Sequence, residues 1–116
     1  MKKYSIPFGL LVALTMAGCK HAAPPKALDQ LTPSEQAGHA VFSQRCAACH
    51  YDRVDKPLHG PTLLGVYKQQ YLPSGAPAND ERITHTIVHG HGMMPGFGDS
   101  ISQQETDDLL AYLHTL

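Results

Sequence analysis

A dominant charge of one sign is what this chain lacks first: nine Lys and Arg stand against ten Asp and Glu in 116 residues, a formal net charge of -1. There is no basic stripe to neutralise phosphates, which argues against nucleic acid as a partner. Cysteine is scarce, three residues in all, so no second Cys-x-x-Cys pair is available to complete a compact structural zinc site. Apolar and polar residues nowhere alternate with a period of two for long enough to demand a sheet. Internal repeats and low-complexity blocks are also missing. With 42% hydrophobic and 16% charged residues the composition is that of an ordinary globular protein. At this length there is material for one domain, whose core is small unless a cofactor, metal or disulfide supports it.

Nor is there an apolar run long enough to cross a bilayer as a mature helix. The longest extends from Ile6 to Ala17, relieved only by small residues, Pro7 and Thr15, and follows Lys2 and Lys3. That order of charge then apolar run is the pattern of an export signal. It ends in Met16-Ala17-Gly18-Cys19, which resembles the bacterial lipobox, although Met16 stands where leucine is commonest. The resemblance implies a signal peptide over residues 1–18 and a diacylglycerol on Cys19, with an ordinary secretory signal and an incidental cysteine as the alternative. Loss of Lys2 and Lys3 leaves seven basic residues against ten acidic, a mildly acidic mature chain. More than one acyl chain gives stable attachment, at about 0.8 kcal/mol per buried methylene. Lys20 sits where an inner-membrane retention signal usually places Asp, so the analogy favours the periplasmic face of the outer membrane.

Residues 19–31 read as a lipid-anchored flexible tether. The stretch Lys20 to Leu31 is rich in Ala and Pro, with Pro24-Pro25 favouring extended backbone. Fully stretched it reaches roughly 40 Å at about 3.3 to 3.6 Å per residue. The globular domain, residues 32–116, is expected to be all-α, with three main helices and connecting loops. Thr32 as N-cap, Pro33 at the first helical position and Glu35 returning a hydrogen bond predict a helix to about Arg45. Asn79 caps a second helix, with Asp80 and Glu81 beside its positive end, Ile83, Ile87 and Val88 as its apolar stripe and Gly90 as its stop. Ser102 and Glu105 form another capping box, leading into Leu109, Leu110 and Leu113. Proline and glycine from Pro57 to Pro77 mark loops, with room for a short helix around Leu63 to Gln69.

Chemistry concentrates at Cys46-Ala47-Ala48-Cys49-His50. Two thiols separated by two residues and followed at once by histidine can bond both vinyl groups of a haem while the imidazole ligates its iron. A thioredoxin-like dithiol is the first alternative, but it belongs after a strand and at a helix N-terminus, whereas this pair follows a helix. A structural zinc site is the second, and His85, His89 and His91 do not supply the missing cysteine pair. With Cys19 lipidated and Cys46 and Cys49 bonded to haem, every cysteine has a use. On the far side lies Gly90-His91-Gly92-Met93-Met94-Pro95-Gly96-Phe97, a glycine-rich loop carrying two thioethers. A methionine there suits a soft axial ligand that raises the reduction potential, and Pro95 stiffens the backbone at Met94. Core filling is the usual role of methionine, to which such a loop is poorly suited.

From Thr32 to Leu116 the sequence resembles the class I monohaem cytochromes c. The likeness rests on Gly38-x-x-x-Phe42, Cys46-x-x-Cys49-His50, Gly60-Pro61-x-Leu63, Met94-Pro95 and Leu109-x-x-Tyr112-Leu113, in that order. It implies that Gly38 and Phe42 of the first helix pack against Tyr112 of the last. It implies further that the Pro61 carbonyl accepts from the second ring nitrogen of His50, and that Met94 rather than Met93 is the sixth ligand, opposite His50. His91 competes only if the loop departs from the family, and His85 and His89, four apart, are expected on a solvated face. The chain lacks the lysine abundance with which mitochondrial members meet acidic partners.

The function expected is one-electron transfer by a single covalent haem c, through its iron, between redox proteins: a membrane-associated dehydrogenase, reductase or oxidase, met on the periplasmic side of a bacterial membrane through the Cys19 anchor. No acid–base pair suggests an enzyme. Two rivals are a dedicated cytochrome subunit of a larger dehydrogenase or reductase and a haem-based ligand sensor, the latter requiring an open iron.

Overall fold

The computed structural model describes residues 23–116, together with Met1. The expected signal peptide and Cys19 lie outside the described residues. Among the described residues three α-helices form in chain order: α1 over Pro33–Arg45, α2 over Asp80–His89 and α3 over Gln103–Leu113. No strand forms among the described residues, only the isolated bridges Tyr71 to Pro77 and His91 to Met94. The fold is therefore small and all-α, as expected.

Each helix begins where local chemistry satisfies its first amides. At α1 the Glu35 amide donates to Thr32 Oγ1 at 3.3 Å while the Thr32 amide donates to Glu35 Oε2 at 2.7 Å, with Pro33 in the first turn. At α3 the same reciprocal pair joins Ser102 and Glu105, at 2.8 and 3.1 Å. At α2 the Arg82 amide donates to Asn79 Oδ1 at 2.9 Å, and Gly90 ends the helix at φ 78°. Such caps satisfy donors that would otherwise be orphaned. The short helix expected between Leu63 and Gln69 is a 3-10 turn, Val66–Lys68, entered through Gly65 at φ 69°.

Helices α1 and α3 cross in close contact at Gly38. A Cβ on Gly38 would stand 1.9 Å from the Asp108 carbonyl oxygen and 2.8 Å from Tyr112 Cβ, so only glycine permits the two backbones to approach this far. One turn on, the Phe42 and Tyr112 rings lie 6.0 Å apart, inclined at 47°. Tyr112 is wholly buried, and its hydroxyl donates to Asp52 at 2.5 Å while accepting from Arg53 Nε at 3.3 Å. Burial first, then the Asp52 bond, pushes its hydroxyl up to about 12, so it remains a donor. Around the crossing gather Val41, Leu109, Leu110, Leu113 and Leu116, joined by Val66 and by Ile83 and Ile87 of α2. Asp108, also buried, accepts from Ser34 and from Gln104, which ties the start of α1 to α3.

The segment before α1 differs from the expected tether. From Ala23 onward it lies on the domain, makes a 3-10 turn at Leu28–Gln30 and buries Leu31 in the core. Several of its contacts, with Arg53, Lys68 and Thr115, are far away in sequence, so composition alone could not announce them.

Candidate functional site

The end of α1 builds the first half of the site. Cys46 caps the helix, its amide donating to the Phe42 carbonyl at 2.8 Å. One further turn follows the cap: the amides of Cys49 and His50 both donate to the Cys46 carbonyl at 3.0 Å. The two cysteines are thus one turn apart on a rigid support. Both are free thiols rather than a disulfide, Cys46 half-buried and Cys49 exposed. Burial pushes the Cys46 thiol up to about 11, with Arg45 opposing and Cys49 adding to the rise. A redox dithiol needs a thiolate at neutral pH, and this environment favours the opposite. Among the described residues no group of three His, Cys, Asp or Glu could hold a metal ion.

The following loop fixes the imidazole. The amides of His59 and Gly60 both donate to the Cys49 carbonyl, at 3.1 and 2.7 Å, folding residues 59–61 back under His50. His50 Nδ1 then stands 2.7 Å from the Pro61 carbonyl oxygen. A carbonyl can only accept, so Nδ1 carries a ring proton, and in the neutral imidazole Nε2 is left with a lone pair. The close approach depends on Gly60, whose Cβ would lie 2.5 Å from Cε1 and 2.9 Å from Nδ1 of the ring. Sequence reasoning places Gly60 only within a motif; its role as the ring's floor emerges from the geometry.

Met94 comes from the other side of the chain, on the loop after α2, and shares no hydrogen bond with the Cys46 to His50 turn. Backbone contacts hold the loop: the His91 amide donates to the Met94 carbonyl at 3.1 Å, and the Met94 amide to the His91 carbonyl at 2.9 Å. Beyond it, the Phe97 and Gly98 amides return to the Ile87 and Val88 carbonyls at 2.8 and 3.1 Å. Gly90 and Gly96 admit this fold-back, since a Cβ would meet the Met94 carbonyl oxygen at 2.4 Å in one case and the Val88 carbonyl oxygen at 2.6 Å in the other. Met93 is 98% exposed, whereas Met94 is half-buried. His91 is exposed, as are His85 and His89, whose rings tilt against each other at 4.6 Å.

These residues fit a covalent haem. Two free thiols one turn apart match two vinyl groups, and the imidazole has one nitrogen engaged and the other available. Leu63, Leu72, Phe97 and Ile101 pack on the core while staying only partly covered, which leaves apolar surface of the kind a flat macrocycle covers. A small all-α domain with such a site is a monohaem c-type cytochrome.

The chain belongs to the cytochrome c family: residues 33–113 match the family described as cytochrome C oxidase, cbb3-type, subunit III. It is 30% identical over 80 residues to cytochrome c6 of Picosynechococcus sp., covering 66% of this chain and 68% of that one. The solved structure of cytochrome c6 from the diatom Phaeodactylum tricornutum is 32% identical, with a TM-score of 0.51 over 68% of this chain and 88% of that chain. One of the nicotinate dehydrogenase subunits of Pseudomonas putida is 33% identical over 85 residues, but the match spans only 7% of that protein. The chain is a monohaem electron-transfer protein with covalent haem c, an electron carrier rather than an enzyme, and it works by meeting redox partners.

Proposed function

We propose that residues 32–116 carry electrons with His50 and Met94 as the two axial ligands of an iron whose haem is bonded to Cys46 and Cys49, and that acylation of Cys19 holds this domain, through residues 19–31, on the periplasmic side of a bacterial membrane. The observation that carries the ligand reading is the 2.7 Å contact between His50 Nδ1 and the Pro61 carbonyl. It orients the ring and makes Nε2 a stronger donor, as outer partners of ligating histidines do. The half-buried position of Met94 on a pinned loop, against the nearly complete exposure of Met93, supports Met94 as the sulfur ligand. When bound, the haem supplies an Fe(III)/Fe(II) couple. The chain's own part is to fix the imidazole, to exclude water with Leu63, Phe97 and Ile101, and to hold the thioether without motion.

Absorption spectra of the exported protein in both oxidation states test this. The oxidised form is expected to show the weak far-red band of iron–thioether ligation, and Met94→Ala to abolish it and lower the potential, while Met93→Ala keeps both. A band that survives Met94→Ala overturns the assignment. For the anchor, Cys19→Ser is expected to release the domain into the soluble periplasmic fraction; continued membrane association overturns it. Among the described residues no helix is long and apolar enough to cross a membrane. A second reading, a dedicated cytochrome subunit of a membrane-associated dehydrogenase, reductase or oxidase, draws on the match to part of a nicotinate dehydrogenase. Co-purification at fixed stoichiometry after detergent extraction would favour it over a free carrier.

A further inference from the structure

The segment before α1 is fastened at both ends and in the middle. Leu31 is buried at 6% exposure, and its carbonyl accepts from Gln36 Nε2 at 2.9 Å. At Lys26 three bonds converge: the amide donates to the Thr115 carbonyl at 2.8 Å, the carbonyl accepts from Arg53 Nη2 at 2.8 Å, and the ammonium pairs with Glu35 at 2.6 Å. At the far end Lys68 Nζ donates to the Ala23 carbonyl at 2.9 Å. The segment therefore bridges the first turn of α1, the loop after the thiols, the 3-10 turn at residues 66–68 and the C-terminus. Of the span from Cys19 to Leu31, only residues 20–22 precede the fastened part.

We propose that residues 23–31 are a mooring strap that holds the haem domain close to a phospholipid surface with one side turned to the headgroups, the side on which Ala23 and Lys68 meet. The inference rests on acylation of Cys19. Four residue steps separate Cys19 from Ala23, at most roughly 14 Å of extended chain at about 3.3 to 3.6 Å per step, where a free tether to Leu31 allows roughly 40 Å. A domain held at Ala23 on so short a leash cannot turn its opposite side to the bilayer. Lys68, exposed at the exit, and Lys20 in the leash suit an anionic surface. By hydrogen bond the strap meets α1 at Glu35 and Gln36, in its first turn. The thiol turn, eleven residues further along the chain than Glu35, is thus roughly 17 Å away along the helix axis at about 1.5 Å per residue and stays uncovered by it.

The test uses the acylated holoprotein in vesicles of phosphatidylethanolamine and phosphatidylglycerol that carry a nickel-chelating lipid. A spin label is placed at Gln69→Cys, beside the strap exit, or at Gln44→Cys, in the last turn of α1. The nickel-dependent increase in relaxation is expected to be several-fold larger at 69 than at 44. Ten Gly and Ser residues inserted between Ala22 and Ala23 are expected to remove the difference while vesicle flotation persists. Equal increments at both positions in the parent protein, or a difference that survives the insertion, overturn the mooring. The strap is read independently in the Cys19→Ser protein by hydrogen exchange, where the Lys26 amide is expected to exchange at least tenfold more slowly than an unstructured peptide. Unprotected exchange there overturns the strap itself. An intact mass without acyl groups, together with failure to float, overturns acylation of Cys19 and with it the lipid partner, yet leaves the strap's exchange result standing.

Discussion

Behind the imidazole of His50 there is no room for a single methyl group. The Cβ that alanine would bring to position 60 overlaps the ring at 2.5 Å from Cε1, and on either side the His59 amide donates to the Cys49 carbonyl and the Pro61 carbonyl accepts from His50 Nδ1. Gly60→Ala must therefore displace the ring, the loop or both. The expected outcome is a loss on the order of 1–3 kcal/mol, seen as a lower urea midpoint, together with loss of the slowly exchanging ring N–H proton by NMR. A ring proton that stays protected in the variant would show that the loop yields at no cost to the His50 bond. At this scale the sequence was legible where the chemistry is contiguous: five residues announce the thiols and the imidazole. It was silent on Arg53 and Asp52, which clasp the Tyr112 hydroxyl from 59 and 60 residues away. Nothing local distinguishes those two from ordinary surface charges.

The helices were the most readable elements, because a cap is written in four consecutive residues. Pro33–Arg45 and the N-caps Asn79 and Ser102 follow from that local grammar. Removing one cap should cost what an isolated cap costs. Thr32→Ala is expected to lower stability by about 1 kcal/mol without shifting the haem spectrum, measured by urea unfolding, since Thr32 lies at the end of α1 remote from Cys46. Glu35 offers a finer test of the same element. Its carboxylate accepts from the Thr32 amide and pairs with Lys26, so Glu35→Gln keeps the cap and loses the charge pair. Hydrogen exchange at Lys26 should then quicken while the first turn of α1 stays protected. The strap was the element least readable, for Ala and Pro content describes how a chain behaves alone, and here its conformation is set by Thr115, Arg53 and Lys68.

For the molecule as a whole, acid is the informative stress. The hydroxyl of Tyr67 and, after it, His114 hold the Asp80 carboxyl below its ordinary range, and the Lys26 and Thr32 bonds do the same for Glu35. Asp80 Oδ1 receives Tyr67 at 2.5 Å and His114 at 2.9 Å, and the two rings stack at 3.6 Å, so the cluster joins the start of α2 to the end of α3. Each carboxyl binds its proton more weakly in the folded state than in the unfolded one. The stabilisation is full above the ordinary carboxylate range and declines as pH falls through it towards the lowered folded values. Urea midpoints measured from pH 7 to pH 3 should fall, and Asp80→Asn should flatten part of that slope; an unchanged slope would remove Asp80 from the account. The described core is also small, eleven buried apolar side chains gathered mainly around α1 and α3. A Cys46→Ala, Cys49→Ala protein lacking haem is accordingly expected to lose its cooperative thermal transition and part of its far-UV helical signal.

The loop bearing Met94 is fastened by its own peptide groups to the last turn of α2, with glycines at 90 and 96 where any side chain would force it open. Its shape is thus independent of what projects from it, and His91 or Met93 can be exchanged for other residues without altering where the thioether sits. With Met94 as the proposed ligand, a sulfur carried on this frame would keep nearly the same place in both oxidation states.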